Sequence, residues 1–263
     1  MLTAYEQKAL RELRAWQAQP PSWGTRLLAK PGSKVAEVVQ VLVPTTALRS
    51  ALAGSDRLGR RLVDRRSILK RAGVAEISQL RQRSLEANDT LATSVTRRAL
   101  ALAGASGAAF GLAGAFGFAA DIPTLLTLAF RTIHRVGLCY GEDPAADDAR
   151  QLGIGVFALV SANSMDEKQL ALNVLHAQVG ELSEAAWRDG IERVTERELA
   201  KEATVYSLQN LARAIGLNLG RRKAAGSIPV LGAVVGGAVN AWYINDVAQT
   251  ARYVFHSRWL QKK

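Results

Sequence analysis

The sequence predicts an all-α fold, and three observations support this. Apolar residues recur every three or four positions along most of the chain, and no segment shows the alternation typical of a β-strand. Two long stretches are uncharged and rich in Gly and Ala. With 263 residues and 48% hydrophobic content, the chain can bury a large core. We expect one multi-helix domain over residues 1–263, with the two Gly/Ala-rich apolar segments packed closely together.

Apolar spacing and turn residues predict the helices in order. The first helix carries its stripe on Leu2, Tyr5, Ala9, Leu13 and Trp16, and Pro20-Pro21 ends it. The later helices are predicted over residues 35–42, 47–71, 77–102, 123–140, 144–163, 166–179, 183–219 and 246–260.

Two of these helices have recognisable start signals. Asp121-Ile122-Pro123 can restart a helix after the first uncharged stretch, because Asp caps and Pro is tolerated in a first turn. Ser164 with Glu167 has the spacing of a capping box. These signals predict helix boundaries at both positions.

The uncharged stretches run from Ala99 to Ala120 and from Ala224 to Asn245, and each is about as long as a membrane-crossing helix. Both contain a GxxxG pair, which lets two helix backbones approach closely. A basic cluster precedes each stretch, and these clusters are candidates for contact with lipid. They comprise Arg97, Arg98, Arg221, Arg222 and Lys223.

Three interpretations of these stretches compete. They could form a close-packed hairpin in a helical core, or insert into or lie on a bilayer, and a protein with two conformations could do both. Phosphate binding by their glycines is the third, but neither GxxxxGK[ST] nor a GxGxxG after a strand is present. The sequence favours the first two.

The charge distribution predicts an anionic partner. The net charge is +11, with basic segments at 45–98 and 203–263 and an acidic segment at 142–202. A basic face suits an anionic membrane or nucleic acid. No nucleic acid is expected, because zinc-ligand, RNP-like and helix-turn-helix patterns are missing from the sequence. A solvated basic surface without a partner is the simpler alternative.

No motif for catalysis, a metal or a cofactor is present in the sequence. The three histidines lack HExxH spacing, the acidic residues lack an EF-hand pattern, and GxSxG is missing. Cys139 is the single cysteine and permits a cytosolic location. The first residues alternate charged and apolar positions unlike a signal peptide, which predicts a protein on the cytoplasmic side of the membrane.

Polar residues set among apolar ones are the remaining candidates for a site. Asp121, Arg131 and His134 follow the first uncharged stretch, and Asp246, Arg252 and His256 follow the second. A structural ion pair or helix cap is the common role of such residues. A ligand or proton-transfer site is the alternative.

The chain resembles the EcsC protein family over essentially its whole length. The resemblance is carried by YEQKALRELRAW, SLEANDTLA, FGLAGAFGFAADIPTLLTLAFRTIHRVGLCYGED and IPVLGAVVGGAVNAWYINDVAQTARYVFHSRWL. It implies a bacterial, membrane-associated protein encoded beside an ABC exporter, with no catalytic mechanism to carry over. The motif positions that transfer without a known role are Asp121, Pro123, Arg131, Tyr140, Gly141, Asn240 and Asp246.

The leading hypothesis is a non-enzymatic peripheral membrane protein whose basic lobes meet anionic lipid or a membrane protein such as an ABC transporter. A second hypothesis is an enzyme or a small-molecule or lipid-binding protein. Its pocket would lie between the Gly-rich helices and be lined by Asp121, Arg131 and His134. A third is an integral protein with two spans, which Asp121 and the many glycines disfavour.

Overall fold

The computed structural model describes residues 2–21, 45–112, 114–162, most of 164–175, and 229–262. The predicted helices over 35–42 and 183–219 lie outside the described residues, as does the second basic cluster at 221–223. Glu167 of the predicted capping box lies outside them as well.

The described residues are helical and include no strand, which confirms the predicted all-α class. The helices are α1 (Ala4–Ala18), α2 (Thr45–Arg61), α3 (Arg65–Ala72), α4 (Ile77–Gln82), α5 (Leu85–Leu112), α6 (Gly114–Cys139), α7 (Ala149–Ser161) and α8 (Pro229–Gln261).

Local sequence explains several helix ends. Thr3 caps α1 by accepting a hydrogen bond from the Glu6 backbone N–H at 3.2 Å, and Glu6 returns the capping-box bond. Asp64 accepts from the Ser67 N–H at the start of α3, and Gly73 ends α3 in the left-handed conformation.

Several predicted boundaries differ from the structure: the helix predicted over 77–102 is divided into α4 and α5, and the helix predicted from 144 begins at Ala149. Two further differences have a clear local cause. The helix predicted over 47–71 is divided into α2 and α3, because Asp64 begins a new cap after Arg61. Pro123 lies inside α6 instead of at a helix start, so Asp121 is a helix-interior residue and not a cap. Pro removes one intrahelical hydrogen bond. Packing of α6 against α5 and α8 compensates for that local preference.

The long helices α5, α6 and α8 pack together at the centre. Helices α5 and α6 are antiparallel, because Tyr140 just after the end of α6 contacts Asp89 near the start of α5. Helix α8 is antiparallel to α5, since Gly107 lies against Gly236 while Asp89 lies against Arg252 farther along both helices. The core between the helices includes Val95, Phe130 and Val247.

One end of this three-helix centre is uncharged. It contains residues 99–112 of α5, 114–120 of α6 and 229–245 of α8, and we call it the uncharged end. The opposite end contains Asp89, Tyr140 and His256. Within the described part of the chain, no helix combines the length and apolarity needed to cross a membrane.

Candidate functional site

Helices α5 and α8 approach through glycine at the uncharged end. A Cβ added to Gly107 would lie 2.4 Å from the Gly236 carbonyl oxygen and 2.7 Å from the Asn240 side-chain nitrogen. Gly237 likewise lies against the Gly104 carbonyl, at 2.9 Å from an added Cβ. Only a residue without Cβ fits these contacts, which confirms the predicted close packing of the two segments.

The same end exposes large apolar side chains to solvent. Leu112, the last residue of α5, is 57% exposed, and Val234 in the first turns of α8 is 65% exposed. Leu102 and Trp242 are also exposed. Among the residues that the structure describes, this part of the surface therefore combines exposed apolar groups with an absence of charged side chains.

The opposite end contains a buried carboxylate that joins four helices. Asp89 of α5 is only 3% exposed. One oxygen accepts from the Tyr5 hydroxyl of α1 at 2.5 Å and from Arg252 Nη2 of α8 at 2.9 Å. The other accepts from the Tyr140 hydroxyl, just after α6, and lies 2.5 Å from Nε2 of His256 in α8.

These contacts determine the charge of the centre. Burial by itself raises the pKa of Asp89, but the bonds from His256, Tyr140 and Tyr5 outweigh it and lower that pKa to about 2. Burial, followed by the bond to Asp89, raises the pKa of Tyr5 to about 12. A carboxylate has about four lone-pair sites. All are occupied here, so the arrangement supports a structural role in joining helices and leaves no oxygen for a substrate.

A second buried carboxylate holds α2 against α6. Asp56 lies 2.8 Å from Nε2 of His134 and accepts from Arg60 Nε at 3.0 Å. Gly153 of α7 covers this pair, and a Cβ there would lie 2.9 Å from the imidazole. His134 therefore pairs with Asp56 between α6 and α2, and Gly153 packs so closely against its imidazole that no space is left on that side.

The turn after α6 depends on a glycine. Gly141 has φ +85°, and a Cβ there would lie 2.2 Å from Arg81 Cγ. Arg81 Nε also donates to the Gly141 carbonyl at 2.9 Å. The next residue, Glu142, accepts from Arg258 at 3.2 Å and from Lys262 at 2.9 Å. The turn therefore connects α6 to the end of α8.

Replacing Gly141 with Ala is expected to destabilise the protein by at least about 2 kcal/mol, because the new Cβ meets both a left-handed backbone and the Arg81 side chain. Gly73→Ala is the matched control. Gly73 has φ +70° but nothing within 4 Å of its added Cβ, so a loss of about 1 kcal/mol is expected there. Urea unfolding measures both losses. Equal losses would contradict the steric role of Arg81.

A cluster of arginines lies where α5 and α6 meet. Arg131 is half-buried and donates from Nε to the Leu62 carbonyl at 3.0 Å. Arg135, one turn later, is buried, and its Nε has no hydrogen-bond partner within the described residues. Burial lowers the pKa of Arg135, and the charges of Arg131 and Arg98 lower it further. Positive charge is thus concentrated here.

A cavity of about 280 Å³ lies between α1, α7, α8 and the segment after α7. Trp16 and Tyr253 stack at its side, with ring centroids 4.9 Å apart. Lys168 donates to the Trp16 carbonyl and, at 2.8 Å, to the Gln19 carbonyl, both at the C-terminal end of α1. Burial lowers the pKa of Lys168 to about 8. Asp246 also lines the cavity.

The predicted site residues are distributed over several locations. Arg131 lies in the arginine cluster, His134 in the Asp56 pair, Tyr140 at Asp89, Asn240 at Gly107 and Asp246 at the cavity. Pro123 is exposed on α6, and the side chain of Asp121 lies outside the described residues. Arg97 and Arg98 are exposed on α5.

Sequence reasoning missed Asp89, Asp56 and Arg135 as centres of contact. Asp89 lies in the segment SLEANDTLA, and its only signal is a carboxylate on the apolar side of a helix. Among the described residues, no group of three or more His, Cys, Asp or Glu side chains could hold a metal ion.

The fold and these contacts define an all-α protein with buried ion clusters at one end of its central helices and an uncharged, glycine-packed end opposite. The chain belongs to the EcsC protein family, whose sequence profile matches residues 7–260.

Two proteins of Bacillus subtilis strain 168 are similar to it. The uncharacterized protein YdbA is 23% identical over 69% of this chain and 61% of its own length. Protein EcsC is 27% identical over 61% of this chain and 59% of its own length. The chain therefore spans about three-fifths of these relatives. No solved structure matches the chain.

Proposed function

We propose that this protein is a non-enzymatic peripheral membrane protein that binds anionic lipid through basic residues and inserts its uncharged end a short way into one leaflet. The observation that carries the proposal is the exposure of Leu112 and Val234 at an end of the central helices where the described residues include no charged side chain. Exposed apolar groups of this kind are typical of interaction surfaces, and their burial in lipid is favourable.

Helix geometry limits the depth of insertion. Asp121 lies seven residues after Gly114, which is about 10 Å along α6. A carboxylate is costly in hydrocarbon, so Asp121 would stop near the boundary of the apolar layer. Leu102 lies about 15 Å from Leu112 along α5, and antiparallel pairing brings Trp242 close to the same level. Both would lie among the head groups, where Trp is favoured.

Basic residues lie behind this end. Arg97 and Arg98 are exposed on α5, about 7 Å farther from the tip than Leu102. Charges so placed would act on anionic head groups within the screening length, which is about 10 Å at 0.1 M salt. The proposal therefore expects one salt-sensitive and one salt-resistant contribution to membrane binding.

Co-sedimentation with vesicles tests both contributions. The wild-type chain is expected to bind phosphatidylglycerol-containing vesicles at low salt, to retain part of this binding at high salt, and to bind phosphatidylcholine vesicles weakly. Leu112→Asp is expected to weaken the salt-resistant binding by about tenfold or more, because a carboxylate would enter the leaflet. Leu2→Asp is the matched control, since Leu2 is exposed near the opposite end.

The charge contribution has its own pair of variants. Arg97→Gln is expected to reduce low-salt binding more than Arg14→Gln, which changes an exposed arginine on α1. Absence of vesicle binding at low salt would contradict the proposal. If Leu112→Asp and Leu2→Asp bound equally at high salt, the proposed insertion would be contradicted, while the proposed binding to anionic lipid would not.

The family resemblance also implies a membrane protein partner such as an ABC transporter. A partner embedded in the same leaflet would meet the protein at its uncharged end. Vesicles made of lipid alone distinguish direct lipid binding from binding through a membrane protein, because binding to them cannot require a transporter.

A further inference from the structure

Arg135 is a buried cation that has no acidic partner among the described residues. Its residue is 6% exposed, and its Nε has no hydrogen-bond partner in the part of the chain that the structure describes. No ion pair joins its guanidinium to a described carboxylate. Buried charges in proteins are normally paired and hydrogen-bonded, because an unpaired one is costly. Within the described part of the chain, no group thus supplies the anion that a buried guanidinium ordinarily binds.

Two further arginines lie beside it. Arg131 precedes Arg135 by four residues, which places both on one face of α6. The bond from Arg131 Nε to the Leu62 carbonyl holds this side chain in place and uses one of its five N–H groups. Arg98 is exposed on α5. The contact of Tyr140 with Asp89 sets the antiparallel register of α5 and α6, and it places Arg98 level with Arg131 because each lies nine residues from that contact.

The neighbouring acidic groups do not neutralise this cluster. Asp64 is the carboxylate whose charge reaches Arg135, and it already accepts the Ser67 N–H at 3.1 Å as the cap of α3. The Cys139 thiol donates to the Arg135 backbone carbonyl at 3.2 Å, and burial raises its pKa to about 12, so it remains neutral. Arg98 and Arg131 thus add positive charge near Arg135, and no ion pair among the described residues joins Arg135 to the exposed Asp64 carboxylate, which already accepts from Ser67.

We propose that Arg98, Arg131 and Arg135 form a binding site for a phosphate group. Guanidinium groups donate two parallel hydrogen bonds to phosphate, and several of them together match its non-bridging oxygens and its negative charge. A carboxylate would satisfy fewer of these donors. The phosphate belongs either to a lipid head group or to a soluble phosphate compound, and both present the same chemistry to the site.

Thermal unfolding in phosphate and in chloride at equal ionic strength tests the site. Inorganic phosphate is expected to raise the melting temperature of the wild-type chain above its value in chloride. Arg131→Gln and Arg98→Gln are each expected to weaken phosphate binding about tenfold or more, through loss of a charge-assisted contact. Arg14→Gln, an exposed arginine on α1, is the matched control and is expected to keep the wild-type response.

Arg135→Met separates ligand binding from a structural role. Met keeps the apolar part of the Arg135 side chain and removes the buried charge. In chloride, the variant is therefore expected to melt at a higher temperature than the wild type. It is also expected to lose the rise in melting temperature that phosphate produces. A lower melting temperature in chloride would show that Arg135 stabilises the fold by itself and would overturn the proposal. So would the absence of a phosphate-specific rise in the wild type, or an unchanged rise in Arg131→Gln.

Competition identifies the source of the phosphate group. If inorganic phosphate reduces binding to phosphatidylglycerol vesicles more than chloride at equal ionic strength, the site takes a lipid head group. If it stabilises the protein without affecting vesicle binding, the site takes a soluble phosphate. Both results support phosphate binding at this site and differ only in the compound that supplies the phosphate. Since the thermal measurement uses no lipid, it is independent of the proposed membrane function.

Discussion

Asp89→Asn is expected to lower the free energy of unfolding by about 3–5 kcal/mol, the usual loss when one partner of a buried ion pair is removed. Asn has nearly the same shape, but its amide nitrogen would face donors that now bond to a carboxylate oxygen. Arg252 would also lose its partner at 2.9 Å. The loss is large because one side chain joins α1, α5, α8 and the turn after α6.

Urea unfolding at neutral pH measures this loss. Asp147→Asn is the matched control, because Asp147 is an exposed carboxylate in the loop before α7, and its replacement is expected to change stability by less than about 0.5 kcal/mol. If the two variants unfolded at the same urea concentration, the Asp89 centre would not stabilise the fold.

The same residue predicts a pH dependence of stability. The pKa of Asp89 is about 2 in the folded protein, below its ordinary value of 3.8. A lowered folded-state pKa means that its stabilisation is present above about pH 4 and is lost as the pH falls toward 2. The difference corresponds to about 2 kcal/mol. Between about pH 4 and pH 2, the free energy of unfolding of Asp89→Asn is expected to fall less than that of the wild type. If the two proteins lost stability equally over this range, the prediction would be contradicted.

Gly107→Ala is expected to destabilise the protein by about 1–3 kcal/mol, since overpacking forces neighbouring groups apart. The Cβ would lie 2.4 Å from the Gly236 carbonyl oxygen, which belongs to the backbone of α8 and cannot rotate away. The two helices would have to separate, and the Asn240 side chain would move with them.

Gly104→Ala is the matched control, one turn earlier on the same helix. Its added Cβ would meet only the Gly237 carbonyl, at 4.0 Å. The higher helix propensity of Ala is therefore expected to stabilise this variant by about 0.5–1 kcal/mol. Chemical denaturation measures the free energy of unfolding of both variants, which is expected to decrease in Gly107→Ala and to increase in Gly104→Ala. If both variants were stabilised, the close approach of α5 and α8 at Gly107 would be contradicted.

Several features of the fold could be predicted because they depend on local sequence. Apolar spacing predicted the helix that becomes α1, and capping by Thr3 and Glu6 explains its start. The glycine pairs predicted close helix packing, and Gly107 against Gly236 confirms it. Pro123 was the opposite case, because its local tendency to begin a helix was overridden by packing of α6.

The buried ion clusters could not be predicted, because their members are far apart in sequence. Asp89 meets Tyr5, Tyr140 and His256 only when four segments have packed, and each of these residues taken alone resembles an ordinary polar position. The unpartnered Nε of Arg135 could not be predicted either, because the absence of a hydrogen-bond partner among the described residues depends on which groups pack around this side chain.

The sequence by itself determined the all-α class, the two uncharged segments and the EcsC family, since helical periodicity, charge and motif order are properties of neighbouring residues. Only the tertiary structure decided that the uncharged segments share one end and that Asp89 holds helices together at the other end. It also decided that Arg98 is level with Arg131 and that Arg135 is buried without a hydrogen-bond partner for its Nε among the described residues. The physical reason is that burial and charge interaction depend on distances in space, which helix packing sets and local sequence does not specify.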